Sequence, residues 1–366
     1  MSAKRIVLVV GRIFQGLHAK NRQTLAVLMA ALLVTGRAGV AALGRGIQSR
    51  TAFKHSIKRV DRFLGNDNVV VCDWCKALFA TVLGPRKSVK IAIDWTKIGP
   101  WPVLVASVVI RRRGIPIYWA TCDFRKLQRS QNAFENSFLV VLRDIIPRNV
   151  NAILLFDRGF RRVSLVKHIK KLGFHFVIRS CSDVHVMTEA GEKIALRGLK
   201  LSSGIVKDFG HVMATIDKPE DVRLVAVFDR DQKEPWLLFS DLDLPARDIV
   251  ALYGRRFTIE EFFRDSKNSR FGWSLGQYKL KDRPDRLDRL FLVVVATYFL
   301  VSIIGLHLEH IRLDAKFKAN TSKQKTHSIF QLGWKGRNLV RWLPQSWFAR
   351  FDRLDFDSIH LEARHA

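Results

Sequence analysis

Two stretches, SVKIAIDW (Ser88–Trp95) and AILLFDRGF (Ala152–Phe160), decide the fold. Each is a short apolar run that reads as a buried strand, the first ending on Asp94 and the second on Asp157. Working outward, VLVASVVI (Val103–Ile110) and IPIYWAT (Ile115–Thr121) flank RRRG (Arg111–Gly114), the pattern of a β-hairpin. Residues 131–146 carry the period of an amphipathic helix that stops before Pro147. Gly159 permits a sharp turn into a helix around Ser164–Leu172, and Phe174–Ile178 is a fifth strand. Three strands, a helix, a strand, a helix and a strand make a mixed α/β sheet. In it, the strands ending on Asp94 and Asp157 are neighbours. An aspartate after an apolar strand commonly caps the next turn, so neither is decisive alone. Two at adjacent strand ends can converge on one point.

A third acid lies on DLDLPARDIVALYGRRFTIEEFFRDSK (Asp241–Lys267). Read as one helix, this stretch places Tyr253, Arg256, Glu260 and Lys267 within an arc of about 60° at about 100° per residue. Pro245 suits a first helical turn, with Asp243 supplying negative charge at that end. Ile249, Leu252, Ile259, Phe262 and Phe263 are left for a core. Asp94, Asp157 and Glu260 thus form a three-carboxylate constellation drawn from distant parts of the chain. Like charges brought together repel, and a divalent cation resolves that repulsion.

The 62 Lys and Arg residues outnumber the 33 Asp and Glu, giving a net charge of +29, which calls for a polyanionic partner, nucleic acid above all. Residues 1–63 hold 12 Lys or Arg against the single acid Asp61. The Leu25–Leu33 run and the pattern of Ile57, Val60, Phe63 and Leu64, stopped by Gly65-Asn66, make this a basic helical unit suited to reading DNA. Residues 181–240 read as short strands separated by Gly, Asp and Pro turns, a β-rich insertion ahead of Glu260. The part from about 285 onward is largely helical and ends in an aromatic, basic stretch, Gly333–Leu343.

Four cysteines in 366 residues make no disulfide framework and fit a reducing cytoplasm. Cys72-x2-Cys75 lacks a second ligand pair for zinc and reads as incidental. The apolar start of the chain is broken by Gly11, Arg12 and Gln15, too early for a secretory signal. Leu290–Leu308 is long enough to span a bilayer but lies between charge-dense flanks, and is expected to be a buried core helix.

Asp94 in AIDWT, Asp157 in FDRGF, and Tyr253-x2-Arg256-x3-Glu260-x6-Lys267 together resemble the three catalytic regions of bacterial DDE transposases of the insertion sequence 4 family. The last pattern is complete and far more specific than a lone aspartate. The resemblance covers roughly residues 50–310. It implies an RNase H-like catalytic core over 85–180 and 241–285, carrying the 181–240 β-insertion. Around it lie a DNA-binding region over 1–70 and a helical C-terminal region over 286–366 that would serve dimerisation.

The resemblance further implies cut-and-paste transposition through hairpin ends. Asp94, Asp157 and Glu260 would hold two Mg²⁺ ions (Mn²⁺ substituting) about 3.5–4 Å apart. Tyr253, Arg256 and Lys267 would contact DNA phosphates, and Trp236 would stack on a flipped base. Phe257 departs from relatives that carry Trp after the motif arginine. The expected partners are terminal inverted repeats, target DNA and a second copy of the chain, in the bacterial cytoplasm and not at a membrane. Two rival readings are an inactive or domesticated DNA-binding relative and another RNase H-fold endonuclease. A binder gains nothing from three carboxylates clustered beside DNA.

Overall fold

The computed structural model describes residues 3–123, 131–214, 219–228, 233–269, 272–277, 283–317 and 327–338. Five helices come first: α1 (Ala3–Ile13), α2 (Ala19–Thr35), α3 (Val40–Gly46), α4 (Phe53–Leu64) and α5 (Val71–Leu83). Then follow β1 (Ser88–Ile98), β2 (Trp101–Ile110) and β3 (Arg113–Thr121), an antiparallel meander. Arg111 takes a positive φ of 53° in the two-residue turn between β2 and β3. Helix α6 (Gln131–Ile145) leads to β4 (Asn151–Phe156), which lies parallel to β1, and α7 (Val163–Lys171) leads to β5 (His175–Arg179), parallel to β4.

The register places Ile93 of β1 opposite Phe156 of β4, so Asp94 and Asp157 each follow one residue later on adjacent strands. The neighbour relation read from the sequence therefore holds. β1 itself continues four residues beyond Asp94, because Trp95–Ile98 stay paired with β2.

The strands of residues 181–240 do not stand apart from this sheet. They are β6 (His185–Thr188), β7 (Lys193–Ala195), β8 (Val206–Ala214), β9 (Glu220–Val227) and β10 (Trp236–Ser240). β10 pairs antiparallel with β5, and the ten strands run in the order β3-β2-β1-β4-β5-β10-β9-β8-β6-β7. The fold is a mixed α/β sheet with helices on both sides, consistent with an RNase H-like DDE transposase core.

Gly210, which reads as a turn between two short strands, is a bulge inside β8. It has φ 67°, its N–H donates to Asp208 Oδ1 at 3.0 Å, and the register with β9 shifts between Asp208 and His211. Residues 215–218 and 229–232 of this region lie outside the described residues.

Helix α8 (Ala246–Gly254) is followed by a 3₁₀ turn (Arg255–Phe257) and α9 (Thr258–Lys267). Expecting one regular helix here was an error. A 3₁₀ turn advances about 120° per residue instead of about 100°, so three such residues rotate what precedes them by about 60°. Tyr253 is shifted around the axis but stays beside Arg256, whose guanidinium lies 5.9 Å from its ring centroid.

Helix α10 (Pro284–His310) is long and apolar enough to cross a membrane, but 94% of its apolar window is buried inside the protein. It is the core helix expected from its charged flanks. Gly305 on α10 and Gly333 on α11 (Ile329–Gly336) let these two helices touch backbone to backbone. A Cβ on Gly305 would lie 1.8 Å from the Ile329 carbonyl oxygen. The remainder of the Gly333–Leu343 stretch, from 339, lies outside the described residues, as does most of the tail to 366.

The N-terminal helices share the core rather than forming a detachable unit. Ile6, Val9, Leu25, Leu32 and Leu64 are buried in the same cluster as the sheet and α10. Arg289 of α10 donates to Leu64 O at 2.9 Å and to Asp67 at 2.8 Å, and Arg286 pairs with Asp61.

Candidate active site

Asp94 sits where β1 passes beneath the 3₁₀ turn. Its Oδ1 accepts the Trp95 N–H at 2.8 Å and its Oδ2 accepts Arg256 Nη1 at 3.1 Å. Arg256 Nη2 donates to Glu260 Oε1, one helical turn on, at 2.9 Å. The guanidinium is buried (6% exposed) and bridges two carboxylates from segments far apart in sequence, while its Nε finds no partner. Asp157 ends β4 and serves as the cap anticipated for it, its Oδ1 accepting the Gly159 N–H at 2.8 Å.

Burial raises the Asp94 carboxyl to about 6. Arg256 opposes that shift, and the charges of Asp157 and Glu260 add to it. The two other carboxylates are thus close enough to be felt at Asp94, and burial outweighs the guanidinium.

The remaining motif residues surround this centre. Lys267 donates to Thr96 Oγ1, two residues beyond Asp94 on β1, and burial lowers its pKa against the pull of Asp94. Tyr253 is buried, not presented to solvent, and its ring meets Trp236 edge-on at 4.7 Å. Trp236, at the start of β10, also leans on Phe257 at 5.9 Å. Phe257 is the exposed member of this trio, with the Arg256 guanidinium 4.5 Å from its ring centroid. The structure brings all seven predicted residues into one neighbourhood: Arg256 joins Asp94 and Glu260 and also lies 5.9 Å from the ring of Tyr253, which packs on Trp236.

Sequence reasoning missed a supporting layer. Glu135 of α6, 3% exposed, accepts the Trp95 indole N–H at 3.0 Å and pairs with Arg162 at 3.1 Å, which fixes the residue next to Asp94. Gly114 of β3 lies under α9, where a Cβ would stand 3.1 Å from Ile259 Cα, so the absence of a side chain lets the Glu260 helix sit down on the sheet. Only the tertiary pairing reveals either role. A second feature, a polar groove of about 720 Å³ between α2 and α4, is lined by Asn21, Thr24, His55, Arg59, Arg62 and Asn66 among others.

Residues 126–284 match the transposase DDE domain family. The match supports a DDE transposase, an enzyme that acts on DNA as a nuclease and transposase. It takes in Asp157 and Glu260, and Asp94 joins them through the pairing of β1 with β4. No curated protein matches the chain.

DDE transposase domains generally use divalent metals. As the side chains lie, no group of three His, Cys, Asp or Glu among the described residues could hold a metal ion. The donor chemistry still fits a hard cation, since the site offers carboxylate oxygens and no thiol or imidazole. Asp94 and Glu260 already share one buried positive charge, that of Arg256.

Proposed function

We propose that this chain is a cut-and-paste transposase similar to those of the insertion sequence 4 family. It would cut the ends of its own element, form hairpin ends and join the 3′-hydroxyls to target DNA. The observation that carries this reading is the bridge from Asp94 through Arg256 to Glu260, with Asp94 level with Asp157 across β1 and β4. Asp94, Asp157 and Glu260 would hold two Mg²⁺ ions, with Mn²⁺ able to substitute. Such ions, when bound, activate the attacking oxygen and stabilise the leaving one in an in-line displacement.

The chain's own residues do the rest. Arg256 balances the carboxylates before DNA arrives and can then offer its fork to a phosphate. Lys267, held beside Thr96, supplies a point charge to the backbone. Trp236 offers the face on which an unstacked base would rest, with the buried Tyr253 behind it and Phe257 at its open edge. The groove between α2 and α4 supplies the amide, hydroxyl and imidazole groups suited to reading an inverted repeat. The reading places the enzyme in the bacterial cytoplasm, at the nucleoid, working as a homodimer on DNA.

The test is cleavage of a duplex carrying the inverted repeats that bracket the reading frame. Mg²⁺-dependent cuts leaving 3′-hydroxyl ends are expected. Tight binding with no cleavage in Mg²⁺ or Mn²⁺ would make the chain a DNA binder instead.

A further inference from the structure

A cleft of about 560 Å³ opens beside the candidate active site, and Arg86, Lys90, Arg111, Arg112 and Arg255 line it. Among the described residues, the rest of its lining is Ser88 and three aliphatic side chains, with no carboxylate. Two of the arginines are pinned. Arg111 donates to Glu309 at 2.8 Å, and Arg86 donates to Leu83 O at 3.0 Å at the end of α5. Arg112 and Arg255 are exposed.

The position of the cleft relates it to the chemistry. Lys90 and Asp94 both lie on β1, and residues four apart on a strand share a face at about 13 Å. Both are half-buried, with the fully buried Ala92 between them on that face. Arg255 and Arg256 are consecutive, the first at the cleft and the second on Asp94. The cleft therefore lies about four base-pair steps, at about 3.4 Å each, from the carboxylates.

Arg112 and Arg255, exposed side by side with three further cations, give the cleft a positive face that a polyanion complements. Guanidinium and ammonium groups match the phosphate oxygens of a duplex, which fix its position without reading its sequence. The groove between α2 and α4, with its amides and imidazole, has the opposite character. We propose that this cleft seats the phosphate backbone of the target duplex. Naming the duplex as target rests on the transposase reading, whereas the binding of duplex DNA there does not.

The test uses the full chain with Arg112→Ala/Arg255→Ala and Arg112→Glu/Arg255→Glu, both checked for an unchanged melting curve. The first measurement is anisotropy of a duplex lacking the element's ends, over a range of salt. The alanine pair should flatten the slope of log K against log salt by about 1.8, and the glutamate pair should weaken binding about tenfold or more. The second measurement is joining of pre-cut ends to plasmid, expected to fall about tenfold in the glutamate pair while cleavage of uncut ends stays within about twofold. Unchanged slope and affinity would overturn the proposal, as would equal loss of cleavage and joining. If the wild-type chain neither cuts nor joins, the transposase reading fails, and the salt slope still decides whether the cleft holds duplex DNA.

Discussion

Arg256 donates from Nη1 to Oδ2 of Asp94 across 3.1 Å, joining residues 162 positions apart. The same guanidinium holds Glu260, so the site's carboxylates are organised around a positive charge that the chain itself supplies. An internal cation of this kind keeps clustered acids from repelling one another.

Removing that charge should be felt first as stability. Arg256→Ala is expected to cost about 1–3 kcal/mol in a chelator, because Asp94 and Glu260 lose their shared partner. Mg²⁺ should restore more stability to this variant than it adds to the wild type. Thermal melts with and without Mg²⁺ check this, and equal Mg²⁺ effects on both proteins would count against a metal at these carboxylates. Arg255→Ala should leave end cleavage intact, since Arg255 lines the neighbouring cleft whereas Arg256 holds the carboxylates.

Substitution of Asp94, Asp157 or Glu260 by Ala should lower end cleavage by roughly 10⁴-fold while end binding persists. The carboxylates act on the chemical step, whereas the basic surfaces supply affinity. A gel-shift and a cleavage assay on one substrate separate the two, and a fully active variant would remove that residue from the site.

End reading should map to the groove between α2 and α4. Deleting residues 1–66 is a poor test, because those helices share the core with α10. Asn21→Ala and Arg59→Ala should instead reduce discrimination between element ends and random duplex by about 1–3 kcal/mol each. Competition binding measures this, and undiminished discrimination would place the reader elsewhere.

Asp288 predicts a pH dependence unrelated to catalysis. Its Oδ1 accepts both the N–H and the hydroxyl of Thr121, yet burial dominates and raises its pKa to about 7 from 3.8. A raised folded-state pKa gives a contribution that is full below about 4 and is lost as pH climbs through about 7. Denaturant melts should show stability falling by roughly 1 kcal/mol per pH unit across that window. Asp288→Asn, whose amide oxygen can still accept from Thr121, should flatten the dependence. An unaltered slope would exclude Asp288 as its source.

The crossing of α10 and α11 should tolerate no added methyl. Gly305→Ala or Gly333→Ala drives a Cβ into a backbone oxygen, at 1.8 and 1.9 Å respectively, and is expected to destabilise by about 1–3 kcal/mol. Gly198, with nothing within 4 Å of its would-be Cβ, is the control. Melting temperatures of the three variants check the ranking.

Short-range patterns determined much of this protein. Strand runs, the two-residue hairpin turn and the helix over 131–145 follow from apolar periods and turn residues that act over a few positions, and the order of these elements made the strands of Asp94 and Asp157 neighbours. The burial of Leu290–Leu308 was legible too, because charged flanks and an all-round apolar helix fit a core. The spacing of Tyr253, Arg256, Glu260 and Lys267 marked the site residues.

Tertiary structure decided what those residues face. Tyr253 of α8 packs edge-on against Trp236 of β10, a contact between elements that no helix projection contains. Arg256 meets Asp94 only because the helix crosses β1, and Glu135 supports Trp95 only because α6 packs there. The strands after β5 extend one sheet because β10 finds β5's open edge, a pairing set by hydrogen bonds between residues about sixty apart. The cleft of Arg86, Lys90, Arg111, Arg112 and Arg255 likewise exists only after β1, β2 and the 3₁₀ turn are brought together. Local periodicity sets which elements form, whereas contacts between distant segments depend on packing and register, which no window of sequence encodes.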